Sequence, residues 1–231
     1  MIALALVLAA VGSADLVRRD TATGRRADLP VAVAGAVLVG AGIGLGLGWH
    51  TAWVAAAGTA VTSLWLQGQR DRAWRTASLA VLVAAVLVAV GAGQYLPTGS
   101  APLDRWFDSL DVPGLAEVGL DRFALGIGVL LFLQRSANVV VRAVLDGAGT
   151  EVLATERTLA GGRILGPLER IFVFALAVSG QFAAFAALVA AKGILRYPEI
   201  SRDEPSGTKA EYVLVGSFVS WGLALLFVPL F

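Results

Sequence analysis

The chain has 231 residues, 57% of them hydrophobic and only 15% charged, with a mean hydropathy of +0.77; a soluble domain sits nearer half apolar and a quarter charged. A formal net charge of +1 with no large basic block argues against a nucleic-acid partner. With no Cys and a single His, His50, disulfides, thiolate chemistry and multi-His or Cys-ligated metal sites are excluded, and no metal or cofactor is expected.

The apolar residues gather in runs near the length that crosses a hydrocarbon core of roughly 30 Å, which predicts an all-α, polytopic transmembrane bundle. The first helix covers residues 1–17. Its Arg18 and Arg19 follow the apolar run instead of preceding it, so it reads as an uncleaved helix and not a signal peptide. After the loop "RRDTATGRRADLP" come helices at 30–48, 51–67 and 76–96, with "WHT" as an interfacial turn bearing Trp49 and Trp53. A segment at 97–121 is acidic and carries a short amphipathic turn with Trp106, Phe107 and Leu110 on one side. Its Asp104, Asp108 and Asp111 fit no calcium-loop spacing. The remaining helices are expected at 122–145, 167–195 and 211–231. That makes about seven spans, or six if 122–145 is re-entrant or interfacial. The expected division is an N-terminal four-helix half at 1–96, an extracytoplasmic loop at 97–121 and a C-terminal membrane half at 122–231.

Arg18, Arg19, Arg25, Arg26, Arg70, Arg72 and Arg75 fall in two loops on one side, which places that side in the cytoplasm and the N-terminus outside. Seven crossings then leave the loop with Arg196, Arg202 and Lys209 outside, against the same rule. Arg outnumbers Lys 16 to 2, a bias of GC-rich bacterial genomes, so the expected location is a bacterial inner membrane.

Arg135, Asn138 and Arg142 are spaced i, i+3, i+7, one helical face, and ionisable groups inside a membrane usually face a bundle interior or a watery cavity. They suggest an anion or headgroup site; the plainer alternative has Arg142 snorkelling and Arg135 paired to a carboxylate. In "GPLERIFVFALAVSGQFAAFAALVAAKGILRY", Gly166-Pro167 would place Glu169 in a first helical turn, where the dipole favours a carboxylate. Arg170, Gln181 and Lys192 recur every eleven residues and share a stripe, with Arg170 and Lys192 reaching opposite interfaces and Gln181 at the midplane. Glu211 is expected to pair with Lys192 or Arg196 across the last loop. Gly40, Gly44 and Gly48 form a small-xxx-small ridge, suited to helix packing or to a homo-oligomer.

The last 70 or so residues carry Gly162, Gly166, Leu168-Glu169-Arg170, Gly180-Gln181, Ala191-Lys192, Arg196, Glu211-Tyr212, Gly216 and Ser220. This set resembles the C-terminal part of an uncharacterised bacterial multi-pass membrane family with the pattern G-x-x-x-G-x-L-E-R, then G-Q, A-K-S-I-x-R-F and E-Y-x-L-I-G-T. Gly193, Tyr197 and Ser217 depart from it, and the N-terminal half does not carry the His- and Asp-bearing first helix of that pattern. The resemblance implies a kind of protein and no particular reaction.

The expected polar centre is therefore Arg135, Asn138, Arg142, Glu169, Arg170, Gln181, Lys192, Arg196 and Glu211. Its cationic excess points to a transporter, channel or binding protein for a small anionic solute or an anionic lipid headgroup, with the bilayer itself as the other partner. The alternative is a membrane scaffold or regulatory subunit whose polar residues hold helices together. An enzyme acting on a phospho- or prenyl-lipid ranks last, since no Asp-rich metal motif, Ser-His pair or HExxH is present and no catalytic residue is assigned.

Overall fold

The computed structural model describes residues 1–18, 28–96, 101–110, 112, 115–147, 162–201 and 208–231. These residues form ten α-helices and a few 3₁₀ turns, with no strand among them. They divide into two compact units, residues 1–136 and 137–231, a boundary that falls later than the sequence division at 96 and 122.

In the first unit the helices are α1 (Ile2–Val17), α2 (Asp28–Gly44), α3 (His50–Arg70), α4 (Arg75–Ala92), α5 (Pro102–Asp108) and α6 (Leu115–Gln134). α1 is apolar all round and buried all round, as a helix enclosed by other helices should be; it packs on α2, α3, α4 and α6. α2 with α3, and α3 with α4, are antiparallel hairpins. The contacts of Gly58 with Leu38 and Gly42 with Thr51 fix the first, and Gly68 with Ser78 the second. α6 runs parallel to α1. A Cβ on Gly128 would meet the Ala5 carbonyl oxygen at 2.6 Å, and one on Gly12 would meet the Leu131 carbonyl carbon at 2.6 Å and the Phe132 nitrogen at 2.7 Å. Backbone faces backbone at both points, so glycine is what lets these helices touch.

Gly12→Leu is accordingly expected to destabilise the first unit by about 3 kcal/mol, the upper part of the overpacking range. Gly40→Leu, at a glycine with nothing within 4 Å, should have little effect. Thermal unfolding of both variants in detergent checks the contrast.

The hydroxyls on these apolar helices turn back onto their own backbone: Ser13 to Ala10, Thr62 to Gly58, Ser63 to Thr59 and Ser78 to Arg75, each at 2.8–3.0 Å. Such bonds satisfy a hydroxyl where no water is needed. Large apolar side chains also cover the outside, including Val39 and Ile43 on α2 and Val83, Leu87 and Val88 on α4. Exposed aromatics collect at the two ends. Trp49, Trp53 and Tyr95 stand at the end holding the α2–α3 turn, and Trp74 stands at the opposite end between Arg70 and Arg75.

The second unit holds α7 (Ser136–Gly147, whose first residue belongs to the first unit), α8 (Gly162–Val178), α9 (Phe182–Ser201) and α10 (Thr208–Leu226). α8 packs on α10, and Phe174 meets Phe231 edge-on at 5.4 Å. α9 is exposed along most of its length, including Phe182, Ile194 and Leu195.

Two expected spans are broken. The stretch at 122–145 is α6 and α7, interrupted at Arg135. The stretch at 167–195 is not one helix but the hairpin α8–α9. Gly180 takes φ +70, Gln181 N–H bonds the Leu176 carbonyl at 2.8 Å, and Ser179 N–H bonds that of Ala175 at 3.0 Å. This is a helix end closed by a left-handed glycine. α8 also starts before Gly166-Pro167, so Glu169 lies well inside it and not in its first turn.

Among the described residues one helix, Arg75–Ala92, is by itself long and apolar enough to cross a membrane, and only 17% of it is buried. The pair 118–134 and 136–146 is a second if its two pieces count as one span. Ile2–Val17, Asp28–Gly44, Phe182–Leu195 and Leu214–Leu230 are shorter apolar helices.

The acidic segment yields α5, with the Ala101 N–H donating to Asp104 at 3.3 Å. Phe107 turns inward against Phe123, ring centres 5.3 Å apart, and Trp106 outward, so the two aromatics expected on one side face apart. The glycine ridge is also interrupted. Gly44 ends α2 and is covered by Leu103, Gly48 is open but lies beyond the helix, and within the helix Gly40 stays open.

Candidate functional sites

Asp15 is the most enclosed carboxylate described in the first unit, 1% exposed in the last turn of α1. A negative charge at a helix C-terminus opposes the dipole, so it needs strong partners. Three donors reach it. Trp65 Nε1 from α3 and Ser136 Oγ bond Oδ2 at 2.8 and 2.6 Å, and Gln69 Nε2 bonds Oδ1 at 3.1 Å. Arg18 Nε stands 3.9 Å from Oδ1. Beside it Arg135 Nη1 donates to the carbonyls of Asp15, Leu16 and Arg18 at 3.1, 3.2 and 2.7 Å. The guanidinium thus caps the carbonyl end of α1, where a cation is favoured.

Neither anticipated role of Arg135 matches this: its partners are backbone carbonyls, and the break in the helix removes it from any face shared with Asn138 and Arg142. Asp15 is not among the residues the sequence reading singles out. The available signal was a lone carboxylate closing an apolar run, with Trp65 and Gln69 spaced i, i+4 on a later helix.

The second unit holds the other cluster. Glu169 on α8 accepts from Lys192 Nζ on α9 at 2.7 Å through Oε2, and from Trp221 Nε1 on α10 at 3.1 Å through Oε1. Lys192 also sits 4.8 Å from the centre of the Trp221 ring, within cation–π reach. The Lys192 and Glu169 side chains are 19% and 11% exposed. Glu169 stands 11 residues before Gly180 and Lys192 stands 12 after it. Both therefore lie about 17 Å from the hairpin tip, halfway along the helices.

The hairpin inverts the expected layout. Gln181, placed at the midplane by the unbroken-helix reading, is exposed at the turn. Glu169, Arg170 and Lys192, expected near interfaces, are at mid-length.

Arg170 is 1% exposed and donates through Nη2 to the Asn138 Oδ1 of α7, while its Nε is buried with no acceptor. Arg142 is exposed further along α7. Arg196 and Glu211 fall on α9 and α10, but their side chains are outside the described residues, as is the pairing expected of Glu211. Among the described residues no group of three or more His, Cys, Asp or Glu is arranged to hold a metal.

No protein-family model, curated protein or solved structure matches this chain. Function has to be read from these side chains. Asp15 and Glu169 already have donors on both carboxylate oxygens, which suits them to fastening helices more than to taking up a proton from a substrate.

Proposed function

We propose that the chain is a multi-pass membrane protein of the scaffold or regulatory type, whose buried polar residues fasten helices to one another. The observation that carries this reading is the Glu169–Lys192–Trp221 contact, in which three helices contribute one polar group each. Ionisable groups at mid-depth usually pair with one another or line a path, and here Glu169 and Lys192 pair with each other. On this reading the L-E-R and A-K segments of the family-like pattern are two halves of one fastening. A second reading, binding of an anionic solute or headgroup, is favoured by Arg170 and is developed below.

The proposed topology has eight crossings, α1–α4, α6 and α8–α10, with α7 at the interface. At 1.5 Å per residue α8, α9 and α10 are about 25 to 30 Å long, close to a hydrocarbon core. Turning back at Gly180 brings Arg196, Arg202 and Lys209 to the same side as Arg163, which removes the conflict with the positive-inside rule that seven crossings created. The basic residues of the first unit give its own orientation, with the N-terminus outside.

Since the chain has no Cys, single cysteines report topology cleanly. Gln181→Cys should label from outside and Ser206→Cys from the cytoplasm. Outside labelling of Ser206→Cys restores an odd count, and protection of Gln181→Cys from both sides makes the hairpin re-entrant. The scaffold reading itself predicts that Glu169→Ala lowers the folded fraction. A well-folded Glu169→Ala variant that abolishes anion flux present in wild-type proteoliposomes would refute it.

A further inference from the structure

Arg170 is a guanidinium almost wholly withdrawn from solvent whose one hydrogen-bond acceptor among the described residues is an uncharged amide. Arg does not escape burial by losing its proton. An uncompensated charge in that position is costly, and the usual compensation is an anion. Glu169, its chain neighbour, attracts it but is already paired with the Lys192 ammonium, so this one carboxylate stands against two cations. The Nε–H of Arg170 is buried and unbonded. The Asn138 amide N–H₂ is a further donor beside it, so the pair offers N–H groups and no free acceptor charge.

Gly166 lies one turn before Arg170 on α8. A Cβ there would stand 3.7 Å from Nη2 and 3.9 Å from Asn138 Oδ1, so the glycine keeps that side of the pair clear.

We propose that Arg170 and Asn138 bind one phosphate group, with the planar guanidinium edge taking two oxygens and the Asn138 amide a third. Arg is suited to oxyanions by this fork, where a Lys would act as a point charge. The phosphate comes from a lipid headgroup or from free phosphate. The inference rests on the membrane reading above only for the lipid source, and the labelling experiment there succeeds or fails independently of it.

The test uses the purified full chain in detergent, with Arg170→Lys, Arg170→Met and, as an exposed control, Arg105→Gln. Native mass spectrometry follows retention of phosphatidylglycerol against a phosphate-free galactolipid of matched chains. Thermal unfolding follows inorganic phosphate against chloride at equal ionic strength. Retention of phosphatidylglycerol alone, at least about tenfold weaker in Arg170→Met and weakened in Arg170→Lys, identifies a lipid phosphate. Stabilisation by inorganic phosphate that Arg170→Met loses identifies free phosphate. If Arg170→Met does not fold, Arg170→Lys decides, because it keeps the charge and loses the fork. Equal retention and equal phosphate response in wild type and Arg170→Lys, or no phosphate effect of either kind in folded wild type, overturns the proposal.

Discussion

Asp15→Ala is expected to lower the stability of the first unit by about 3 to 5 kcal/mol, the cost of removing one partner from a buried charged network. The side chain itself is small; what it leaves behind decides the loss. Trp65 Nε1, Gln69 Nε2 and Ser136 Oγ all lose their acceptor at once, and Arg18 loses its nearest carboxylate. Each buried donor without a partner costs about 1 to 3 kcal/mol. Asp15→Asn keeps one acceptor oxygen in the same place, so it should lose roughly half as much by the same accounting. Chemical unfolding in mixed micelles, read by Trp fluorescence, measures both, with Trp65 as a reporter inside the network. Equal stability of Asp15→Ala and wild type would mean that the carboxylate fastens nothing.

The second large effect concerns the hairpin. Glu169→Leu strands the Lys192 ammonium, and Lys192→Met strands the Glu169 carboxylate, each at a cost of about 3 to 5 kcal/mol. The double substitution removes both charges together and should recover most of that loss, since apolar replacement of a buried pair is often near neutral. What it does not recover is the Trp221 N–H, still without an acceptor, at about 1 to 3 kcal/mol. Adding Trp221→Phe should remove that residue of the penalty. A full cycle of these variants gives the coupling directly. Additive single effects would mean that the contact between α8, α9 and α10 is incidental.

The sequence was most readable where polarity and helix boundary coincide. Helices expected at 1–17, 51–67 and 76–96 are α1, α3 and α4 to within a few residues, because Arg-rich loops and aromatic turns bound them. It was least readable at Ser179-Gly180-Gln181. There the chain reverses with no run of charge, and nothing local sets Gly180 and Gln181 apart from residues inside a span. One glycine with positive φ then moved three ionisable residues from expected ends to mid-length. Arg135 shows the same limit differently. Its helical spacing to Asn138 and Arg142 was real, but spacing assumes an unbroken helix, and the interruption falls on Arg135 itself. Asp15 was missed because its partners lie 50 to 121 residues away, a distance that no local pattern spans.

That separation bears on how the protein is made. α1 leaves the ribosome before the helices that enclose it: Trp65 and Gln69 arrive after 50 and 54 residues, Ser136 only after 121. At synthesis rates of roughly 5 to 20 residues per second, α1 waits about 6 to 24 s for α6 and the cap on its carbonyl end. Until then a nascent chain presents a glycine-bearing face without its partner and a carboxylate that lacks one of its three donors. A chain arrested before residue 136 should hold α1 in an exchangeable position, next to the insertion machinery or to whatever helix is nearest, and release of the completed α6 is the step that commits it.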